Sequence, residues 1–365
     1  MKNKSNVCYM LIILNVYISV CCGNIGIPSL NDIRLTFFKN FDKVYCTFSA
    51  CCNDRWISKN ISGLQYDLST RLHGQHLVQN TVLAHIKGHA WHSNPTKALV
   101  LSFHGLTGVG KNFVSRIIAE NLYRDGLNSR FVHLISATKE FPHHDKDMLV
   151  KYKDTLKSWI EGNITYCERS MFIFDEVDKL PALLLDVVKP YVDYHEHLGR
   201  VNYRKAIFLF LSNEGGTEIG RLIYEHWMSG KPRDSFTLKD VENTILKASL
   251  NSKSESGFWH SQLISQHLVT AFIPFLPLEK GHVKKCIRDA LIAKKYYSNV
   301  RDIPDETVDL VLKELTFYPK EQVYSSTGCK RVSEKVDLVM MDASKYDESH
   351  QHTEFDDSDK HTGEL

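Results

Sequence analysis

The sequence has almost no net charge: its 365 residues carry 45 Lys and Arg against 43 Asp and Glu. Domains that bind nucleic acid usually carry a clear basic excess, so this balance argues against nucleic acid as a partner. The local basic run at 284–301 is short and holds few aromatic residues, which is typical of a solvated helix face. After residue 22 no apolar stretch approaches the length of a membrane span, and we expect at most peripheral membrane contact.

The apolar run near the N-terminus is predicted to be part of a signal peptide at residues 1–22. Lys2 and Lys4 precede this run, which extends from Val7 to Cys22. Its length is short for a membrane span and typical of the hydrophobic region of a signal peptide. An uncleaved membrane anchor is the alternative. The rest of the chain is therefore predicted to be lumenal or secreted.

The cysteine content agrees with an oxidising compartment. The chain has nine cysteines, and those outside the predicted signal peptide are even in number, which permits disulfides but leaves their pairing open. Two sequons, at Asn60 and Asn163, are predicted glycosylation sites, although unused sequons are common. The cysteines that remain after residue 22 are Cys46, Cys51, Cys52, Cys167, Cys286 and Cys329.

A glycine-rich segment has the spacing of a phosphate-binding loop, G-x-x-x-x-G-K. Its glycines let backbone N–H groups approach phosphate oxygens, and Lys111 adds a positive charge. A predicted strand at 98–103 and a predicted helix at 112–124 flank the loop, which argues against a chance glycine turn. Asn112 stands where a Ser or Thr hydroxyl usually binds Mg²⁺, and its amide oxygen is a candidate ligand. The predicted nucleotide contacts are Gly105, Leu106, Thr107, Gly108, Val109, Gly110, Lys111 and Asn112.

An acidic pair follows the buried run at 171–174. Asp175 at a strand end is predicted to hold Mg²⁺, and Glu176 to polarise a water that attacks the γ-phosphate of ATP. Asn213 follows another buried run, at 206–211, and could orient the same water or cap a helix. An acidic strand end that faces solvent is the alternative for the pair, but its combination with the glycine loop favours an ATPase.

Predicted strands and helices alternate through the first two thirds of the chain, which predicts an α/β fold with a parallel sheet covered by helices. Ligands of such sheets bind beyond the carboxyl ends of the strands. The predicted organisation is a signal peptide at 1–22, a cysteine-containing segment at 23–60, a large nucleotide-binding domain at 61–272, a small helical domain at 273–342 and a disordered acidic tail at 343–365.

These motifs resemble those of the torsin family of Clp-type AAA+ ATPases, over about residues 44–342. The matches are the glycine loop with its unusual asparagine, 172–179 (Phe-Ile-Phe-Asp-Glu-Val-Asp-Lys), 210–213 (Phe-Leu-Ser-Asn) and 328–330 (Gly-Cys-Lys). The resemblance implies an AAA+ P-loop domain with a small C-terminal helical domain. It assigns Asn213 and Lys330 as sensor residues that act with Glu176, although Lys330 taken alone reads as a surface lysine. Gly74 and Gln75 look like the segment beside the adenine.

The resemblance also implies an ATPase of the endoplasmic reticulum lumen and nuclear envelope that remodels proteins or membranes. Torsins lack an arginine finger and borrow one from the lumenal AAA+-like domain of a single-pass membrane activator, of the lamina-associated-polypeptide type. Self-association into a ring or filament is a further implication. Arg221 and Arg233 lie between the two sensors in this chain, but the resemblance argues against both as fingers.

The resemblance pairs Cys286 with Cys329 as a redox couple beside the nucleotide. A thiol–disulfide change next to Lys330 would link nucleotide affinity to redox state. The same resemblance pairs Cys46 with Cys167 as a structural disulfide.

Two other functions are alternatives. A threading unfoldase needs an aromatic-glycine pore loop, and the sequence 137–170 contains no aromatic-x-Gly. An assembly scaffold with little hydrolysis would not need the intact Asp175, Glu176 and Asn213.

Overall fold

A five-stranded parallel sheet forms the centre of the protein, with the strand order β2-β3-β4-β1-β5. The structure, a computed structural model, describes residues 46–47, 49–194, 201–250 and 262–341. The predicted signal peptide and the predicted acidic tail lie outside these residues. The strands are β1 Leu99–His104, β2 Val132–Ser136, β3 Met171–Asp175, β4 Ile207–Ser212 and β5 Ala271–Pro274.

The central strands are apolar because helices cover both of their faces. Every residue of β1 and β4 is buried, and the two strands pair in register from Leu99 opposite Ile207 to His104 opposite Ser212. Parallel sheets buried on both faces favour such continuous apolar runs. The register places the carboxyl ends of β1 and β4 side by side, so the residues that follow them face a common space.

Helices flank the sheet and continue into the C-terminal part of the chain, so the predicted α/β class is confirmed. No helix within the described ranges is both long enough and apolar enough to cross a bilayer. The helices are α1 Ile61–Arg71, α2 His76–Trp91, α3 Lys111–Leu122, α4 Ala137–Glu140, α5 Lys146–Tyr166, α6 Lys189–Val192, α7 Gly216–Met228, α8 Glu242–Leu250, α9 Gln262–Ser265, α10 Lys280–Ala293, α11 Asp305–Lys313 and α12 at 332–341.

The C-terminal helices enclose an apolar cluster separate from the core on the sheet. Val283 and Ile287 of α10, Val308 of α11 and Val336 of α12 are buried together in it. A short antiparallel ribbon of β6 Phe317–Tyr318 and β7 Tyr324–Ser325 precedes α12. The sheet itself extends to Pro274, two residues beyond the boundary predicted at 272, because β5 is an edge strand and can end in proline.

The disulfides correct one predicted pairing. The chain divides into two compact units between Cys51 and Cys52. In the first unit Cys46 bonds to Cys51, and in the second Cys52 bonds to Cys167, each pair with Cα atoms 5.4 Å apart. The predicted pairing of Cys46 with Cys167 is therefore wrong. Adjacent cysteines point their side chains in different directions, and Cys52 is the one whose Cβ faces Cys167, which sequence spacing does not reveal.

Candidate nucleotide-binding site

The glycine loop connects the end of β1 to the start of α3, at the carboxyl edge of the sheet. Gly108 has φ of 81°, in the left-handed region that favours glycine. A Cβ on Gly108 would lie 1.8 Å from the carbonyl oxygen of Thr327, so the position also requires the absence of a side chain. The loop is therefore packed directly against a turn from the C-terminal part of the chain.

Lys111 is almost completely buried, with 8% of its surface exposed. Its Nζ donates to the carbonyl oxygens of Gly105 at 2.7 Å and Leu106 at 3.0 Å, and to Oδ1 of Asn213 at 3.0 Å. Burial lowers the pKa of Lys111 to about 8, against the opposing effect of nearby Asp178. The loop thus holds a partly desolvated ammonium group where phosphate oxygens would enter.

The two predicted magnesium ligands are in contact. Asn112 Nδ2 donates to Asp175 Oδ2 at 2.6 Å, while Asp175 Oδ1 accepts from the backbone N–H of Glu176 at 3.0 Å. A carboxylate and an amide oxygen are hard donors of the kind Mg²⁺ prefers, and the ion usually takes few protein ligands and completes its shell with phosphates and water. The pair therefore fits a Mg²⁺ ion bound together with a nucleotide.

Glu176 adopts a strained backbone conformation for a non-glycine residue, with φ of 57°. Its Oε2 accepts a hydrogen bond from Thr138 Oγ1 at 2.8 Å. Thr138 lies on α4, directly after β2, and its role was not predicted from the sequence. The hydroxyl holds the carboxylate in one orientation at the edge of the cavity.

Asn213 is fixed by a second residue that sequence reasoning missed. The backbone N–H of Asn213 donates to Asp178 Oδ1 at 3.0 Å, and its Nδ2 donates to Asp178 Oδ2 at 3.4 Å. The signal was present, because Asp178 is the third acid of the motif at 172–179. Asp178 orients the amide of Asn213 so that its oxygen meets Lys111.

The turn at 327–330 joins the site from the C-terminal part of the chain. The backbone N–H of Cys329 donates to the carbonyl oxygen of Gly108 at 3.1 Å. A disulfide links Cys329 to Cys286 of α10, and both cysteines line the cavity. Lys330 is exposed and also lines the cavity. This turn is therefore joined to the glycine loop both by a backbone hydrogen bond and by close packing at Gly108.

Gly74 and Gln75 are not among the residues that line the cavity, and their role as nucleotide contacts stays a prediction. Gln75 is buried, and its Nε2 donates to the carbonyl oxygens of Val109 at 3.0 Å and Leu276 at 2.8 Å. Its Oε1 accepts from the backbone N–H of Leu276 at 2.9 Å. The side chain thus positions the loop, and the preceding residues at 71–73 form the cavity wall instead.

These groups surround one cavity of about 570 Å³, a volume within the range of ligand sites. The lining residues are Arg71, Leu72, His73, Thr107, Gly108, Val109, Gly110, Lys111, Asn112, Phe113, Asp175, Glu176, Leu211, Asn213, Leu278, Cys286, Asp289, Ala290, Cys329, Lys330, Val332 and Ser333.

Neither Arg221 nor Arg233 lines this cavity. Arg221 is exposed on α7 and pairs with Glu225 of the same helix. Arg233 is buried and pairs with Glu279 at 3.0 Å. Arg71 is the sole arginine among the described residues that line the cavity, and it pairs with acidic side chains away from the acidic pair.

The predicted glycosylation sites differ in their surroundings. Asn60 is exposed and caps α1, where its Oδ1 accepts from the backbone N–H of Gly63 at 2.9 Å. Asn163 lies within α5, and its Nδ2 donates to the carbonyl oxygen of Trp159 at 2.8 Å. Because Nδ2 carries the glycan, this bond must open before Asn163 is modified. Both sites stay predictions.

His104 ends β1 beneath the loop and is completely buried. Its Nδ1 lies 3.0 Å from the carbonyl oxygen of Glu214 and its Nε2 lies 2.7 Å from Ser102 Oγ, so the neutral ring donates to the carbonyl and accepts from the hydroxyl. Burial lowers the pKa of His104 to about 4, from 6.5. The unfolded chain therefore binds a proton at a higher pH than the native protein.

We expect stability to fall as the pH drops from about 6.5 toward 4, because only the unfolded state gains this proton. The loss from His104 alone should reach about 2–3 kcal/mol at pH 4.5. Urea unfolding at pH 7.5 and at pH 4.5 measures this loss. Between these two pH values the free energy of unfolding should fall less in His104→Gln than in the wild type. His144→Gln, at an exposed position, is the control. Equal pH dependence in wild type and His104→Gln would contradict the assignment.

The chain is similar to curated proteins over most of its length. A family model described as Torsin matches residues 46–174, and one described as Torsin-1A, C-terminal domain, matches residues 278–338. A Torsin-like protein from Caenorhabditis elegans is 43% identical over 300 residues, which cover 82% of this chain and 83% of that protein. Torsin-3A from Homo sapiens is 42% identical over 300 residues, which cover 81% of this chain and 74% of that protein.

Two solved structures of Hsp104 have similar folds. The S. cerevisiae Hsp104-ADP complex matches with a TM-score of 0.54 at 16% identity, over 77% of this chain and 47% of that chain. A closed-state reconstruction of Hsp104 with ATPγS and casein gives a TM-score of 0.51, also at 16% identity, over 77% of this chain and 46% of that chain. This chain thus spans about half the length of those chains, and the likeness shows the AAA+ fold alone. With the fold and the identity to curated relatives taken together, the chain belongs to the torsin family.

Proposed function

We propose that the protein binds ATP with Mg²⁺ in this cavity and hydrolyses it, with Glu176 as the general base. The observation that carries the proposal is the convergence of Lys111, Asp175 and Glu176 on one cavity at the carboxyl edge of the sheet. Backbone N–H groups of the loop and the ammonium of Lys111 would bind the β- and γ-phosphates. Mg²⁺ beside Asn112 and Asp175 would neutralise charge on the phosphate oxygens.

The carboxylate of Glu176 would take a proton from the attacking water. Thr138 holds one carboxylate oxygen, which leaves the other available to the water. Asn213 would keep Lys111 directed at the phosphates, because its amide oxygen accepts from the ammonium and Asp178 fixes the amide. This division of roles lets five side chains position the reactants before hydrolysis begins.

Among the residues that the structure describes, Arg71 is the sole arginine that lines the cavity. Arg71 approaches the cavity from the side of residues 71–73, and Arg233 is committed to Glu279. We therefore include an activator in the proposal: the lumenal AAA+-like domain of a single-pass membrane protein, which supplies the arginine. A site at the boundary between subunits also agrees with self-association into a ring or filament. The proposed location is the endoplasmic reticulum lumen and nuclear envelope, where the protein would remodel proteins or membranes.

The disulfide adds redox control to the proposal. The Cys286–Cys329 bond lies in the cavity wall, and the Cys329 N–H holds the loop at Gly108. Reduction would release Cys329 from α10 and give the turn that carries Lys330 more freedom. We propose that nucleotide affinity differs between the oxidised and reduced forms.

The ATPase rate of the purified chain, alone and with the activator's lumenal domain, tests the proposal. We expect little turnover alone and stimulation on the order of 10³-fold, which is lost when the activator's finger arginine is replaced by alanine. The same assay after reduction of the disulfides measures the redox effect. Full turnover without a partner would contradict the activator, and ATP-dependent complex formation without turnover would favour an assembly scaffold.

A further inference from the structure

Arg233 joins two distant segments of the chain. Its side chain is buried, with 11% of its surface exposed. Nη2 donates to the carbonyl oxygens of Gly74 at 2.8 Å and Pro277 at 2.9 Å, and Nη1 donates to Glu279 Oε1 at 3.0 Å. Gly74 lies before α2, whereas Pro277 and Glu279 lie between β5 and α10. One guanidinium group therefore holds both segments at once.

Both segments that Arg233 joins contribute to the lining of the nucleotide cavity. Leu72 and His73, which directly precede Gly74, line it, and so does Leu278, which lies between the two other contacts of Arg233. Arg233 itself is not among the lining residues. It thus acts on the cavity through the backbone of each segment.

Glu279 carries this constraint into α10. It is the N-cap of α10, and its side chain accepts from the backbone N–H of His282 while the ring of His282 accepts from the backbone N–H of Glu279. The position of Glu279 therefore sets where α10 begins. Cys286 and Asp289 follow on α10 and line the cavity, and Asp289 Oδ2 lies 2.6 Å from His73 Nε2. Arg233 and the His73–Asp289 pair therefore join residues 73–74 to the segment that contains α10 at two separate points.

The chemistry of this position requires arginine. Three acceptors from two segments surround one group, and a planar fork of N–H donors can satisfy all three where a single ammonium group cannot do so in the same geometry. The carboxylate of Glu279 compensates the buried charge. The two segments are also packed tightly against each other, since a Cβ on Gly74 would lie 2.6 Å from the His282 ring.

We propose that Arg233 is a positioning residue that clasps the segments 72–74 and 277–279 together at the nucleotide cavity and thereby sets nucleotide affinity. The inference rests on the proposed function, because it assigns a nucleotide to this cavity. The proposal also differs from a role of Arg233 as an arginine finger. A finger would change the rate of ATP hydrolysis, whereas a positioning residue changes the affinity for ATP.

Arg233→Gln and Arg233→Lys test the clasp against a matched control, Arg221→Gln, whose exposed side chain pairs only within α7. Titration with a fluorescent ATP analogue should show that Arg233→Gln weakens ATP binding by about tenfold. Arg233→Lys should fall between this variant and the wild type. Arg221→Gln should change affinity by less than about twofold. At saturating ATP with the activator, the rate of Arg233→Gln should stay near that of the wild type.

A loss of rate with unchanged affinity would overturn the clasp in favour of a finger, and unchanged affinity and rate would overturn it outright. Amide hydrogen exchange without nucleotide is a second, independent measurement. The protection of backbone amides against exchange at 74–78 and 276–282 should fall in Arg233→Gln and not in Arg221→Gln. If the wild type binds no ATP, the proposed function fails. The hydrogen-exchange result would still show whether Arg233 holds the two segments together. If Arg233→Gln does not fold, Glu279→Gln replaces it, because glutamine keeps a hydrogen-bond acceptor for Arg233 but removes the negative charge. This variant should show the same loss of ATP affinity. An unchanged ATP affinity would contradict the proposal.

Discussion

Glu176→Gln should lower the activator-stimulated ATPase rate by about 10²–10⁴-fold and leave ATP affinity nearly unchanged. Glutamine keeps an oxygen that accepts from Thr138, so the local structure is preserved. It cannot take a proton from water at neutral pH, which removes the general base. Single-turnover hydrolysis and equilibrium binding of a fluorescent ATP analogue separate the two effects. Stable complexes with the activator should accumulate because hydrolysis no longer releases it.

Glu218→Gln is the matched control, since Glu218 is an exposed residue in the first turn of α7. It should retain the wild-type rate. Thr138→Val should give an intermediate loss of rate, because the carboxylate of Glu176 keeps its chemistry but loses the hydroxyl that orients it. Wild-type turnover by Glu176→Gln would show that another group accepts the proton.

The sequence was most informative where one physical constraint dominates. Buried parallel strands need continuous apolar residues, and the runs at 98–103, 171–174 and 206–211 lie on observed strands. The glycine loop could also be predicted from the sequence. Its backbone lies so close to the backbone of another segment that a side chain is excluded, as at Gly108. β5 was missed because four residues ending in proline carry too weak a pattern to distinguish a strand from a turn.

Features that depend on tertiary contacts were less predictable. Gln75 has the polarity of a ligand contact, but its three hydrogen bonds go to the backbone of residues 34 and 201 positions away. Likewise, the disulfide partner of Cys167 depends on which of two adjacent cysteines faces it. The role of Arg233 could not be predicted from the sequence either. Its position between the two sensors made it a finger candidate, but its hydrogen-bond acceptors belong to residues far apart in the sequence.

Lys111→Met should abolish measurable ATP binding, a loss of at least about 100-fold. Methionine keeps the apolar stem but leaves two carbonyl oxygens and Asn213 without the ammonium donor. The carboxylate of Asp175, which lines the cavity, would then face the triphosphate without this positive charge, and each charge-assisted bond to phosphate contributes roughly 1.5–3 kcal/mol. Titration with a fluorescent ATP analogue, together with thermal unfolding as the test of folding, measures the effect.

The pH dependence of ATP binding gives this prediction its sharpest test. Because the pKa of Lys111 is lowered to about 8, about half of the nucleotide-free protein lacks this charge at pH 8 and nearly all of it does by about pH 9.5. Phosphates favour the charged form, so wild-type affinity should fall as the pH rises from about 8 to 9.5. Lys330→Met, which removes an exposed lysine from the same cavity, should keep that pH dependence and lose less affinity, since its ammonium is already hydrated. ATP binding by Lys111→Met at wild-type strength would show that the loop does not hold the phosphates. A wild-type affinity that stays constant across this interval would show that Lys111 does not supply the charge they need.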